Sequence, residues 1–109
     1  MKKTDKILER NLIKALTAAC EIAKAKHPGF EWLTHFADYR NFPDSLQVIC
    51  VFDNNASLAD TDRQSISDLI QQHLQAMGLY IRHINKHVGF DTEENCLNEH
   101  DGNWRHRLP

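Results

Sequence analysis

The chain has 109 residues, of which 41% are hydrophobic and 26% are charged, and its formal net charge is −2. This length and composition are typical of one globular domain and argue against a disordered or fibrous chain. The small negative charge gives no long-range attraction to phosphate backbones or anionic lipid, so nucleic acid and membrane surfaces are disfavoured as partners.

The cysteine count and the N-terminus bear on the cellular compartment. The three cysteines are an odd number and lie far apart, which favours free thiols over a disulfide framework. No apolar region follows the charged residues 1–6, and no apolar run approaches the ~20 residues of a membrane span. The sequence therefore predicts a cytoplasmic protein without a membrane segment.

The first predicted element is a long helix. Thr4 is a suitable N-cap, and apolar residues then recur at helical spacing until Pro28-Gly29 ends the pattern. The stripe consists of Leu8, Leu12, Leu16, Ala19 and Ala23.

Two strands are predicted next, joined by a turn at 40–44 into an antiparallel hairpin. The first covers 30–39, with Phe30, Trp32, Thr34 and Phe36 on one face. The second covers 46–52 and is apolar on both faces, which is typical of a strand with neighbours on both edges and cover on more than one side.

A second helix is predicted after Asp53-Asn54-Asn55. Ser57-x-x-Asp60 and Thr61-x-x-Gln64 are two competing capping patterns, and we expect a frayed first turn with regular helix from about Asp62 to Gly78. Beyond it, 79–84 is interpreted as a third strand that 86–91 continues or pairs with in antiparallel fashion. A short helix at 92–97, capped by Asp91, and an irregular tail complete the chain.

Together these elements predict an α+β fold. It is a two-layer sandwich in the order α-β-β-α-β(-β), with a short C-terminal helix and both main helices on one face of a small antiparallel or mixed sheet. We assign residues 1–97 to the domain and 98–109 to a polar tail. The second sheet face then needs cover, either from the tail through Trp104 or from another subunit.

Three residues near the hairpin are candidates for acid–base catalysis. His35 and Asp38 lie close in sequence, and Asp53 follows the central strand, where many α/β proteins place a carboxylate. On a regular strand, however, His35 and Asp38 point to opposite faces. A solvated strand end and an Asx turn are the simpler interpretations.

The histidines suggest a possible zinc site. His83-x3-His87 and Cys96-x3-His100 supply four ligands of the types found in tetrahedral zinc sites. If residue 83 lies on a strand, His83 and His87 do not share a helical face. Surface histidines and a buried Cys96 are the simpler interpretation, and no cofactor is predicted.

Binding candidates lie at the hairpin turn and in the tail. Tyr39, Arg40 and Phe42 surround the turn and are expected to be exposed, and Trp104 lies beside arginines. No phosphate loop, nucleophile elbow, C-x-x-C or H-E-x-x-H motif occurs. The sequence favours a non-catalytic binding or self-assembly module with a protein partner or a second copy. The alternatives are a small hydrolase with a polar site near the 35–53 hairpin and a nucleic-acid-binding module.

Overall fold

The structure is a computed structural model that describes residues 2–109. Within this range none of the helices is long and apolar enough to cross a membrane. Two 3₁₀ turns lie at Tyr39–Asn41 and Ile84–Lys86. The helices and strands of the described chain are α1 (Lys3–Lys26), β1 (Phe30–Phe36), β2 (Gln47–Phe52), α2 (Asn55–Ala59), α3 (Arg63–Ala76), β3 (Val88–Thr92), α4 (Glu93–His100) and α5 (Trp104–Arg107).

The sheet is mixed, with strand order β1-β2-β3. β1 pairs antiparallel with β2, as expected for two strands joined by a short turn. β3 pairs parallel with β2, because α2 and α3 carry the chain back across the sheet before β3 begins. The predicted α+β fold, with the hairpin and a short C-terminal helix, is confirmed.

The main core lies between one face of the sheet and the helices. Alternation along β2 sends Val48, Cys50 and Phe52 to this face, and none of the three has any exposed surface. α1 packs against both α3 and β1. The remaining buried residues of the core are Leu12, Leu16, Ala19, Ala23, Phe30, Leu46, Leu58, Ile66, Ile70, Leu74, Ile81 and Val88.

The predicted strand at 79–84 is wrong. Residues 79–83 form a loop in which a side chain bonds the backbone of Ile81: the Gln71 amide accepts from Ile81 N–H at 3.2 Å and donates to Ile81 C=O at 2.6 Å. Ile81 is buried and anchors the loop. Along the loop, the less exposed Leu79 and Ile81 alternate with the exposed Tyr80 and Arg82. This alternation has the period of a strand, which is why the sequence resembles one.

The prediction that Phe30 shares a face with Trp32, Thr34 and Phe36 is wrong, because β1 contains a β-bulge. Phe30 pairs with Phe52 but Trp32 pairs with Val51, so Glu31 is the extra residue. Phe30 therefore joins the core, where its ring meets that of Phe52 edge to face at 5.4 Å. Trp32, Thr34 and Phe36 alternate along the other face of the sheet, and the strand ends three residues earlier than predicted.

Helix boundaries also differ from the prediction in detail. α1 begins at Lys3, one residue before the predicted cap. Asn54 caps α2 and Asp62 caps α3, so the expected frayed turn is a separate short helix. Thr92, not Asp91, caps α4, which continues to His100 and thus contains the predicted domain boundary at 97. The tail is not irregular, since it forms α5.

Candidate functional site at the outer edge of β1 and the C-terminal clamp

The outer edge of β1 carries backbone groups that point away from the sheet. Val48 N–H donates to His87 C=O on the β3 side at 2.7 Å, and Asp53 N–H donates to Gly29 C=O on the β1 side at 2.8 Å. Because the N–H of Val48 points toward β3 and not toward β1, Val48 and its β1 partner His35 form a non-hydrogen-bonded pair. The N–H and C=O of His35 therefore point outward. By the same alternation those of Leu33 do too, and we call these four groups the β1 outer edge.

A shallow groove of about 250 Å³ runs between β1 and α1 beside this edge. His35 and Cys20 both line it. Burial lowers the pKa of His35, and the negative charge of Glu9 opposes this in part. Burial raises the pKa of the Cys20 thiol, and the backbone N–H of Leu33 partly offsets that effect. At neutral pH the groove thus presents a neutral imidazole and a protonated thiol, which is not an activated nucleophile.

The other two acid–base candidates make local contacts of their own. Asp38 caps the 3₁₀ turn and forms an exposed ion pair with Arg40 at 3.2 Å, and this hydrogen bonding lowers its pKa. Asp53 lies five residues after Val48, the partner of His35, which corresponds to roughly 16 Å along the strand. Its carboxylate accepts from Asn54 N–H at 2.7 Å. The structure does not bring His35 and Asp53 together.

The aromatic residues of the hairpin turn face each other. Tyr39 and Phe42 stack with ring centroids 5.5 Å apart, and Phe42 packs against the core. Both are half-buried, whereas the sequence predicted exposure. Burial raises the pKa of Tyr39, and the charge of Glu9 adds to the shift. Arg40 in this turn is exposed, with 92% of its side-chain surface accessible.

The four candidate zinc ligands have different surroundings. His83 adopts a left-handed backbone conformation before the second 3₁₀ turn, and His87 Nδ1 lies 2.7 Å from Leu46 O. Cys96 is fully buried in α4, and His100 Nδ1 lies 3.2 Å from the Arg107 guanidinium. Among residues 2–109 no group of three or more His, Cys, Asp or Glu side chains has a geometry that could hold a metal ion.

A second group of polar contacts attaches α5 to the second sheet face, the one opposite the helices of the main core. The Glu93 carboxylate accepts from two indole N–H groups, from Trp32 at 2.7 Å and from Trp104 at 3.0 Å. The two rings also meet edge to face at 4.9 Å. Trp32 lies opposite Val51, which has no exposed surface although it faces away from the main core. One end of the second sheet face is therefore covered by the tail.

An ion pair adds to this attachment. Arg107 binds Asp91 through both carboxylate oxygens, at 2.6 and 2.9 Å, and also contacts Glu99. Burial pushes the pKa of Asp91 up, but hydrogen bonds from Arg107 and from Thr92 N–H outweigh it, so the pKa lies below its ordinary value. We call the Trp32–Glu93–Trp104 contacts and the Asp91–Arg107 pair together the C-terminal clamp.

Substituting Arg107 by methionine is expected to lower the free energy of unfolding by about 2 kcal/mol at pH 7, because Asp91 then keeps a largely buried charge without its partner. Arg105→Met, at an exposed position of the same helix, is the matched control. Urea denaturation provides the measurement. Equal losses in the two variants would contradict the role of the pair.

The same variant should change how stability depends on pH. The pKa of Asp91 is depressed in the folded state, so its stabilising contribution is complete above the unfolded value of about 3.9 and is lost as the pH falls through the folded value. Arg107→Met should therefore show a smaller loss of stability below pH 4 than the wild type.

Sequence reasoning named Trp104 but missed the residues that hold it. In the sequence, Glu93 falls in the first turn of the predicted helix at 92–97, where a carboxylate is favourable in any case. Asp91 was predicted to cap that helix, and Arg107 is one of the arginines beside Trp104 in the predicted polar tail. The available signal was two tryptophans and an arginine in a chain with acidic residues at 91, 93 and 94, but nothing in the sequence pairs them.

Comparisons with protein-family models, with curated proteins and with solved structures found no match. Function must therefore be inferred from the geometry of this chain. Of the surfaces described above, the clamp has its polar groups occupied within the chain. The β1 outer edge instead points its backbone groups outward.

Proposed function

We propose that the protein is a non-catalytic self-assembly module that forms a homodimer by pairing the β1 outer edges of two copies. The observation that carries this proposal is the outward direction of the Leu33 and His35 backbone groups. Within the described residues no strand pairs with this edge. A row of such groups is a template for another strand.

The sequence of β1 lacks the usual protection of an edge strand. Natural sheets protect their edges with lysine, proline, short strands or bulges. β1 has seven residues without lysine or proline, and its bulge at Glu31 is confined to one end. The segment from Trp32 to Phe36 is left regular and open to pairing.

The opposite edge of the sheet is better protected. β3 has five residues, includes Gly89, and contacts α2, α4 and the second 3₁₀ turn. These elements limit the approach of another strand to β3. At the other edge α1 packs against β1, but a groove of about 250 Å³ lies between them beside the β1 outer edge, and we propose this edge for assembly.

An exposed apolar side chain beside the edge also supports a protein partner. Ile13 of α1 is 48% exposed and lines the groove next to Leu33 and His35. A single exposed isoleucine is common on protein surfaces. Beside an open strand edge, it adds apolar area that the same contact would bury.

The hydrolase alternative has less support, because Asp53 lies roughly 16 Å along the strand from the partner of His35 and Asp38 is already paired with Arg40. The nucleic-acid alternative also has less support, because Arg107, one of the basic residues that could contact phosphate, binds Asp91 and Glu99 instead. Neither alternative gains a further observation from the described residues.

The test is the mass in solution of the wild type and of His35→Pro. Light scattering of the wild type at about 100 µM should give about twice the 12.6 kDa of one chain. His35→Pro removes one outward N–H without removing a hydrogen bond to β2, which edge strands tolerate. We expect this variant to be monomeric and His35→Ala, which keeps the N–H, to remain dimeric.

Amide hydrogen exchange in the wild type provides a second measurement that needs no variant. The N–H groups of Leu33 and His35 should become more protected as the concentration rises, while those of the exposed residues 98–99 should not change. A wild type that stays monomeric at 100 µM, or a folded His35→Pro that still dimerises, would overturn the proposal.

A further inference from the structure

We infer that the two β1 strands pair antiparallel about a two-fold axis at Thr34, which joins the two sheets into one of six strands. This inference rests on the proposed function and names the partner as a second copy in one register. Thr34 then faces Thr34 of the other copy, and each Leu33 lies opposite a His35. The direction of the backbone groups and the position of the bulge favour this register.

The backbone groups select this register. In an antiparallel pair, residues that exchange hydrogen bonds must both point their N–H and C=O groups toward the partner. Leu33 and His35 do so, and an axis at Thr34 pairs them with each other. Four hydrogen bonds result, two on each side of the axis, all within the regular part of the strand. To form them, each Leu33 N–H exchanges its contact with the Cys20 thiol for the carbonyl of His35 in the other copy. An axis at Leu33 would instead pair His35 with Glu31, which lies in the bulge.

The side chains agree with the same register. On the second sheet face, Trp32 of each copy lies opposite Phe36 of the other, and cross-strand aromatic pairs stabilise antiparallel sheets. Glu31 lies opposite Ala37 at the end of the paired segment, next to the turn in which Asp38 and Arg40 form an ion pair. Within the regular segment 32–36 there is no Asp, Glu, Lys or Arg, so no like charges lie opposite each other there.

The C-terminal clamp keeps Trp32 in place for this contact. Glu93 fixes its indole N–H at 2.7 Å, and Trp104 packs against its ring. In the dimer, Trp32 would lie between Trp104 of its own chain and Phe36 of the other. The second sheet faces of the two copies then form one continuous surface, with one α5 helix on each side of the two-fold axis.

Disulfide trapping tests the register. At a two-fold axis, Thr34 belongs to a non-hydrogen-bonded pair with Cα atoms about 4.5 Å apart, a spacing that fits a disulfide. Thr34→Cys is made in a Cys20→Ser background, because Cys20 is partly exposed beside the edge, whereas Cys50 and Cys96 are buried. Phe36→Cys is the matched control, because it lies on the same face but about 14 Å from its counterpart in this register. Leu33→Cys tests the alternative two-fold axis at Leu33, which would place the two introduced cysteines opposite each other.

With oxidised glutathione, Thr34→Cys is expected to form a covalent dimer at least tenfold faster than Phe36→Cys and faster than Leu33→Cys. Light scattering of each reduced variant shows whether the non-covalent dimer is present. A reduced dimer that crosslinks fastest at Leu33 or Phe36 would overturn the register and leave the proposed function standing. Absence of the dimer in both the wild type and the reduced variants would overturn both.

Discussion

Phe52→Ala is expected to lower the free energy of unfolding by about 4 kcal/mol, the largest effect we predict for a single substitution. Phe52 is fully buried at the carboxyl end of the central strand, and its ring contacts Phe30 edge to face. Removing a buried phenylalanine from a core costs about 3–5 kcal/mol through lost burial and the cavity left behind. Since a domain is stable by only about 5–15 kcal/mol, this variant should be close to unfolding at 37 °C.

Urea denaturation followed by circular dichroism measures this loss. Tyr80→Ala is the control, because Tyr80 is aromatic but 68% exposed, and its loss should stay within about 0.5 kcal/mol. The denaturant slope should be unchanged if both folded states are the same. A loss below about 1.5 kcal/mol at Phe52 would contradict its place in the core.

The core face of β2 could be predicted from sequence because strand periodicity leaves few choices. Val48, Cys50 and Phe52 alternate with Gln47, Ile49 and Val51, and burying one set fixes the side on which the helices pack. α1 was predictable for a similar reason, since a stripe at helical spacing and the stop at Pro28-Gly29 agree.

The bulge at Glu31 and the loop at 79–83 could not be predicted in this way. Aromatic alternation from Phe30 to Phe36 fits an unbroken strand, and only the packing of Phe30 against Phe52 requires one extra residue. The loop is held by Gln71, whose side chain supplies hydrogen bonds that a strand neighbour would otherwise give. Both features depend on contacts between residues distant in sequence.

The candidate site, too, could be predicted from the sequence only in part. His35 was named for acid–base chemistry, but what distinguishes it in the structure is its backbone, whose outward direction follows from the register with Val48. Side-chain chemistry read from sequence cannot reveal an open edge, because the edge depends on which strands are neighbours. The uncovered second face, by contrast, was foreseen from the apolar residues of β2, and Trp104 was foreseen as one possible cover.

Trp104→Ala is expected to lower the free energy of unfolding by about 3 kcal/mol, although the residue lies only five residues before Pro109. The substitution removes the ring that packs on Trp32 and one of the two donors to Glu93. Loss of a tryptophan from a packed site costs about 3–5 kcal/mol, and the low end applies because Trp104 is only half-buried.

Trp104→Phe separates the two contributions, since it keeps an aromatic contact and removes the N–H donor. Its expected loss is about 1 kcal/mol, the usual worth of one hydrogen bond. Arg105→Ala, at an exposed neighbouring position, should stay within about 0.5 kcal/mol. Amide exchange at Val51 should accelerate in Trp104→Ala relative to Val48, because the tail covers the sheet face to which Val51 points, whereas the helices cover Val48. Equal stability of Trp104→Ala and the wild type would mean that α5 does not contribute to the fold, and that Val51 is protected by other residues of the second face.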